Sequence, residues 1–436
     1  MTIWVFPRKR LRGSHGWGSF DKAAGNDSEI SGKYLGGKAH SMIEGILSGL
    51  KVLDFTWVLA GPYATRILAD FGAEVIKVQS LKTAKGAESN LNGYFNTWNR
   101  NKRSITLDMS RPEAKDLLLR LAGISDVVIE NFAPRVMANW GLTYEKLQEA
   151  NQKIIVVSMS AMGQTGPWKD YVAFGPALQA LSGLTYLSSF DDDQPLGLGY
   201  AYGDHVIGLY GALATLAALE MRLRTGRGQC IDLSGYEALC TLMGPAIGGV
   251  SLNQTPAHPQ GNRSDHIDAC PRGCYPCRGT DRWCVISASA EDEWQALCRA
   301  MDRADLSNDD RFRTLSVRRS NEEMLDELIG RWTAERTAEE AVTLLQEAGV
   351  PAGVVQNAED LARDPHLSAR QFFIPLEHPV LGRTLNDRSP IRFGEDETVN
   401  WKAAPQLGED NRYVFRELLG LTEEEFLHYS EKGVIS

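Results

Sequence analysis

Residues 51–78 read KVLDFTWVLAGPYATRILADFGAEVIKV. The opening KVLDF is a short apolar run of the kind that forms a buried strand, and GPYATRILADFG carries apolar residues at helical spacing before Gly72 closes it. AEVIKV is a second buried strand. Strand, helix and strand in this order make one βαβ unit, which requires the two strands to be parallel.

The same grammar continues downstream. RSITLDM reads as a strand, and Ser110 with Glu113 forms a capping box ahead of the helix PEAKDLLLRLAG. DVVIENF is a strand, YEKLQEA a short helix and KIIVVSMS a strand. After a long apolar helix, GRGQCIDLS is a Gly-rich turn followed by a further strand. Strands alternating with helices predict an α/β fold with a Rossmann-like parallel sheet and helices on both faces. Residues 1–48, rich in Gly, Ser and basic side chains, read as an N-terminal extension, and 49–245 as the first part of a large domain. The stretch from Gly244 to Arg272 is loop-like and marks a junction. Residues 246–350 read as a linker and a smaller α/β domain, and 351–436 as a turn-dense segment returning to the large domain.

Composition narrows the function classes. The 436 residues include 46 Lys and Arg against 56 Asp and Glu, a net charge of −10 that argues against nucleic acid as the main partner. Seven Cys and the lack of a secretory leader pattern point to a reducing, cytoplasmic setting. The apolar run from His205 to Met221 is shorter than about 20 residues and flanked by Asp204 and Glu220, so it reads as a core helix rather than a membrane span.

Asp204 stands at the entrance of that helix. An Asp there commonly caps free N–H groups. The helix is apolar on nearly every face, however, so its entrance is expected at an internal crevice, with Gly203, Gly208 and Gly211 allowing close approach. A carboxylate in such a place can act as a nucleophile on an activated acyl group. The loop WVLAGPYA lies where parallel sheets bind ligands but holds a single Gly, which does not support a dinucleotide fingerprint. NRNKRS concentrates Arg100, Lys102 and Arg103, a charge run suited either to phosphates or to solvent. Cys270, Cys274 and Cys277 have the spacing of an iron–sulfur site without its usual surroundings, and no metal is assigned.

Taken together, VLDFTWVLAGPYAT, GAEVIKV, NKRSITLDM, DVVIENF, GDHVIGLYGALATLAALEMRLRTGRGQ, YPCRG, GVPAG and DPHL resemble the class III CoA-transferases. That group is typified by formyl-CoA and carnitine-type CoA-transferases and includes α-methylacyl-CoA racemase. The resemblance runs from about Gly49 to the C-terminus. It implies that Asp204 is the covalent nucleophile: it attacks an acyl-CoA donor to give an acyl-aspartyl anhydride, the returning thiolate gives an aspartyl-CoA thioester, and CoA passes to a carboxylic acid acceptor. It implies coenzyme A as substrate, with no permanently bound cofactor. By motif position the contacts are Val58, Leu59, Ala60, Lys102, Asn131, Phe132, Ser160 and Ala161; Arg103 joins them by charge and proximity. The family likeness also implies an interlocked, ring-like homodimer with an inserted small domain.

The chain departs from the family in places. Leu59 stands where formyl-CoA transferases carry Gln, and Gln79 and Ser80 replace an acid and a base near the CoA site. Racemization would require a second proton carrier, and the racemase His aligns with Phe174. A racemase and a non-catalytic CoA-binding relative are the alternatives to a transferase.

Overall fold

The computed structural model describes residues 45–190, 194–263, 268–393 and 401–436. Most of the expected N-terminal extension lies outside the described residues. Six parallel strands form the central sheet: β1 (Lys51–Asp54), β2 (Glu74–Gln79), β3 (Arg103–Thr106), β4 (Val127–Glu130), β5 (Ile155–Ser158) and β6 (Gln229–Asp232). Their order is β3-β2-β1-β4-β5-β6, the doubly wound arrangement anticipated from the βαβ reading. The order reverses between β1 and β4, so the chain leaves these neighbouring strands in opposite directions and opens a crevice at their carboxyl ends.

The helices that follow the first three strands are α1 (Ala60–Asp70), α2 (Gly93–Asn99) and α3 (Pro112–Gly123). Alternation along each strand feeds two cores. Leu53, Ile76 and Val128 face one layer with Leu117, Leu118 and Leu121 of α3, while Val52, Val75 and Val127 face the other with Ala64 and Leu68 of α1. In α3 the buried residues fall at Ala114, Leu117, Leu118, Leu121 and Ala122, one stripe of a 3.6-residue period. The expected capping box at its start is not formed. Pro112 occupies the first turn, and the Ser110 hydroxyl instead donates to Asp108 at 2.7 Å. The C-terminal residues Val414, Phe415, Phe426, Val434 and Ile435 complete the first core.

The helix Tyr202–Thr225 is long and apolar enough, by length and composition alone, to cross a membrane. Its inner stripe, including Ile207, Gly208, Gly211, Thr215 and Ala218, packs against α1 and β5. Leu209, Leu213, Leu216 and Leu223 are exposed, so it is not buried on every face as its composition suggests. Downstream, the stretch expected to be loop contains a helix at Gly244–Asn253, with Ile247, Val250 and Leu252 also exposed. A separate antiparallel sheet of β7 (Arg272–Pro276), β8 (Trp283–Ser287) and β9 (Ala352–Val354) has its own core around Trp294, Phe312, Leu325 and Leu345. The strands β10 (Phe373–His378) and β11 (Gly382–Asp387) form a hairpin.

Candidate active site

The loop leaving β1 is pinned residue by residue at the crevice. Asn131, just beyond β4, spans the strand-order reversal: its Oδ1 accepts from the Trp57 N–H at 2.7 Å and its Nδ2 donates to the Trp57 carbonyl at 3.0 Å. Both polar ends of the Asn131 side chain are therefore engaged in shaping the loop. The Phe132 ring meets Trp57 edge-on at 5.5 Å, and its N–H donates to Glu130 at 2.7 Å. Glu130 is buried at the end of the central strand. Burial pushes its carboxyl up to about 7 against the opposing hydrogen bonds from Ser158 and Phe132.

The cations of NRNKRS turn inward. The ammonium of Lys102 is fully enclosed, with Asp54 Oδ2 at 3.0 Å, Thr65 Oγ1 at 2.7 Å, Asn99 Oδ1 at 2.8 Å and the Pro62 carbonyl at 3.1 Å. Three N–H protons thus already meet four acceptors, leaving none for a phosphate. Burial would raise the Asp54 carboxyl, but Lys102, Lys77 and the hydroxyls of Thr56 and Thr65 outweigh it and hold it below the usual range. Arg100 makes a bidentate pair with Asp70 at 3.0 and 2.6 Å and reaches Asp387 of the β10–β11 hairpin at 3.0 Å. Arg103 pairs with Glu74 at 2.9 Å and Asp410 at 2.8 Å. Because Glu74 begins β2, this places Arg103 at the amino end of the sheet, away from the crevice. Arg100 and Lys102 thus form an internal frame under α1, and Arg103 a partly exposed tie to the C-terminal segment.

Asp204 is the third residue of its helix and not the cap, which falls on Ala201. Gly175 sits directly on its carboxylate, with no room for a side chain there. Gln179 Oε1 accepts from the Gly203 N–H at 3.0 Å and fixes the preceding residue. One turn further along, a Cβ at Gly208 would lie 2.7 Å from the Ala60 carbonyl, so the loop from β1 packs within a turn of Asp204. The first N–H groups of α1 have no intrahelical acceptor, and no side chain caps them. Leu59 is buried and Val58 half-buried beside them. Burial raises the Asp204 carboxyl to about 6, with only its own backbone N–H opposing. Tyr94 is close enough that, after burial, the Asp204 charge helps push its hydroxyl to about 12. Beyond β5, the carbonyls of Ser160 and Ala161 accept from Gly235 and Tyr236 at 3.0 and 2.8 Å. The Ser160 hydroxyl is buried and has no hydrogen-bond partner among the described residues.

His205 faces away from the carboxylate into a box of Tyr63, Trp98 and Tyr200, with ring centroids 5.0–5.1 Å away. Its Nδ1 lies 2.8 Å from the Ala201 carbonyl and therefore carries the proton, and its Nε2, 3.1 Å from the Tyr200 hydroxyl, accepts. Burial and the Arg66 charge hold this imidazole below its usual range, although the Ala201 carbonyl and Asp387 pull the other way. A neutral, doubly engaged ring is not a proton carrier. For a nucleophilic carboxylate, kcat/KM is expected to fall about tenfold per pH unit below about 6 as Asp204 is protonated. His205→Phe should keep that acid limb in a pH–rate profile. Disappearance of the limb in this variant would assign it to the imidazole.

Some site residues escape a reading of the sequence. Gly175 and Gln179 carry no local motif, and only their placement by distant elements shows their use. Phe174, before Gly175, is 67% exposed. Cys270 and Cys277 are free thiols in the core of the small antiparallel sheet and Cys274 is a half-buried free thiol of β7, and burial raises each above the usual range.

A doubly wound sheet with a desolvated carboxylate near the carboxyl ends of its strands places the chain among the ligand-binding α/β proteins. The sequence profile of CoA-transferase family III matches residues 47–411, so the chain belongs to that family and is an enzyme of the CoA-transferase class. It is 36% identical to succinyl-CoA–D-citramalate CoA-transferase of Chloroflexus aurantiacus over 89% of this chain and 98% of the relative. It is 30% identical to formyl-CoA:oxalate CoA-transferase of Rhodopseudomonas palustris over 89% and 97%. Among solved structures, a CaiB/BaiF family protein from Brucella suis superposes with a TM-score of 0.78 at 30% identity, covering 86% of this chain and all of the other.

Proposed function

We propose that the protein moves CoA from an acyl-CoA thioester to a free carboxylate through covalent intermediates on Asp204. Its carboxylate adds to the thioester carbonyl, and the C–S bond breaks to give an acyl-aspartyl anhydride and CoA thiolate. The thiolate attacks the aspartyl carbonyl, releasing the donor acid and leaving an aspartyl-CoA thioester. The acceptor carboxylate displaces the thiolate to form a second mixed anhydride. Attack by the thiolate on the acceptor's carbonyl then yields the new acyl-CoA and restores Asp204. No net charge or proton is consumed.

The observation that carries this reading is the position of Asp204: desolvated, in a helical first turn, and within one turn of the uncapped start of α1. Free N–H groups there suit the oxyanion of each tetrahedral intermediate. Val58, Leu59, Ala60, Phe132, Ser160 and Ala161 are the groups proposed to meet CoA, whereas Asn131 acts through the loop it holds and Lys102 through the first turns of α1. The similarity to succinyl-CoA enzymes makes succinyl-CoA the first donor to test and short di- or hydroxy acids the first acceptors. We further propose that a second copy of the chain covers the exposed Leu209, Leu213, Leu216 and Leu223 face, since an apolar patch of this kind marks an interface.

Incubation with succinyl-CoA followed by hydroxylamine is expected to leave a hydroxamate on the peptide carrying Asp204, detectable by mass spectrometry. Exchange that proceeds with no adduct at this residue would defeat the covalent route.

A further inference from the structure

Val58 has φ +63°, the left-handed region that a β-branched residue avoids and that marks strain held in place by its surroundings. The holding groups come from three other elements. Lys77 of β2 donates to the Thr56 carbonyl at 2.6 Å, Asn131 grips Trp57 on both sides, and Glu88 Oε1 accepts the Val58 N–H at 2.7 Å. Glu88 lies buried in the short turn Gly86–Glu88, and its second oxygen is 3.6 Å from the Lys77 ammonium. Two residues after Val58, α1 begins without a side-chain cap.

We propose that Glu88 is a positioning residue: it locks Val58 in the left-handed conformation and so aims the free N–H groups at the start of α1 into the CoA crevice. The clamp rests on the reading of that crevice as the CoA site. Releasing it lets Val58 relax toward an ordinary conformation, which swings Leu59 and Ala60 off their mark without touching Asp204. Glycine adopts positive φ without strain. A glycine at this position therefore makes the clamp largely dispensable, and that separates positioning from a general packing role.

The test is a cycle of Glu88→Ala, Val58→Gly and the double variant, with Glu88→Gln as the conservative control, measured by calorimetric CoA binding and by denaturation midpoint. Glu88→Ala is expected to weaken CoA binding about tenfold, the size of one lost charge-assisted hydrogen bond. In the Val58→Gly background the same change should cost less than about threefold. Glu88→Gln retains an acceptor for the Val58 N–H and should stay within about threefold of wild type. Equal losses in both backgrounds, or a glutamine variant as weak as the alanine one, would overturn the clamp. If wild type itself binds no CoA, the crevice reading fails, while non-additive midpoints still establish the clamp and additive ones refute it.

Discussion

Asp204→Asn is expected to abolish CoA exchange and, in the same step, to make the protein more stable at neutral pH. Loss of a covalent nucleophile removes about 10⁴-fold or more of turnover, because an amide cannot form the anhydride. The stability gain follows from the pKa. The carboxyl titrates near 6 in the folded protein against an ordinary 3.8, so folding favours its protonated form. Its stabilizing contribution is complete below pH about 4 and is lost as the pH rises through about 6. Above that the folded chain carries a poorly solvated anion, at a cost of up to about 3 kcal/mol, reduced by the partial exposure of the group. Asparagine has nearly the shape of the protonated acid and no charge to desolvate. Denaturation at pH 7.5 should show the variant more stable than wild type, with the difference gone near pH 4. A difference from wild type that is the same at both pH values would mean that the carboxylate is well solvated, and the water-poor crevice would have to be abandoned.

The βαβ units, the parallel sheet and the place of Asp204 in the first turn of its helix are legible because each is written in local periodicity and in a Gly-rich, apolar helix start, whereas the strand order is not. The sheet needs only short apolar runs such as KVLDF and DVVIENF separated by helices. What the chain does with its polar groups is not legible. Lys102 and Arg103 are adjacent in sequence, yet one side chain runs upward under α1 and the other joins Glu74 and Asp410 at the opposite edge. Nothing in NRNKRS distinguishes those directions, because they depend on acceptors brought in from Asp54 and from a residue some 300 positions later. Composition makes the long apolar helix look enclosed because it cannot tell a face covered by the same chain from one left outward, as Leu213 and Leu223 are. The Gly244–Asn253 helix is hidden for a related reason: its three glycines and one proline mimic a loop, yet Pro245 stands in the first turn, where a helix tolerates it.

Lys102→Met is expected to produce the largest loss of stability of any single change at this edge, and to do so without the signature of a lost phosphate contact. The ammonium has no solvent exposure and holds Asp54, Thr65, Asn99 and the first turn of α1 together. Methionine fills much of the same volume but leaves the Asp54 carboxylate buried beside fewer counter-charges. Removing one partner of a buried ion pair costs about 3–5 kcal/mol, and the figure should sit toward the lower end because Lys77 also acts on Asp54. Exposed charges that steer an anion lose their effect over a Debye length of about 8 Å at physiological salt. A fully enclosed pair does not, so the denaturation midpoint should fall by nearly the same amount at low and high salt. CoA affinity, measured on the folded fraction, should change far less than stability does. A midpoint close to wild type combined with a CoA affinity loss that shrinks as salt is added would instead return Lys102 to the phosphates of the ligand.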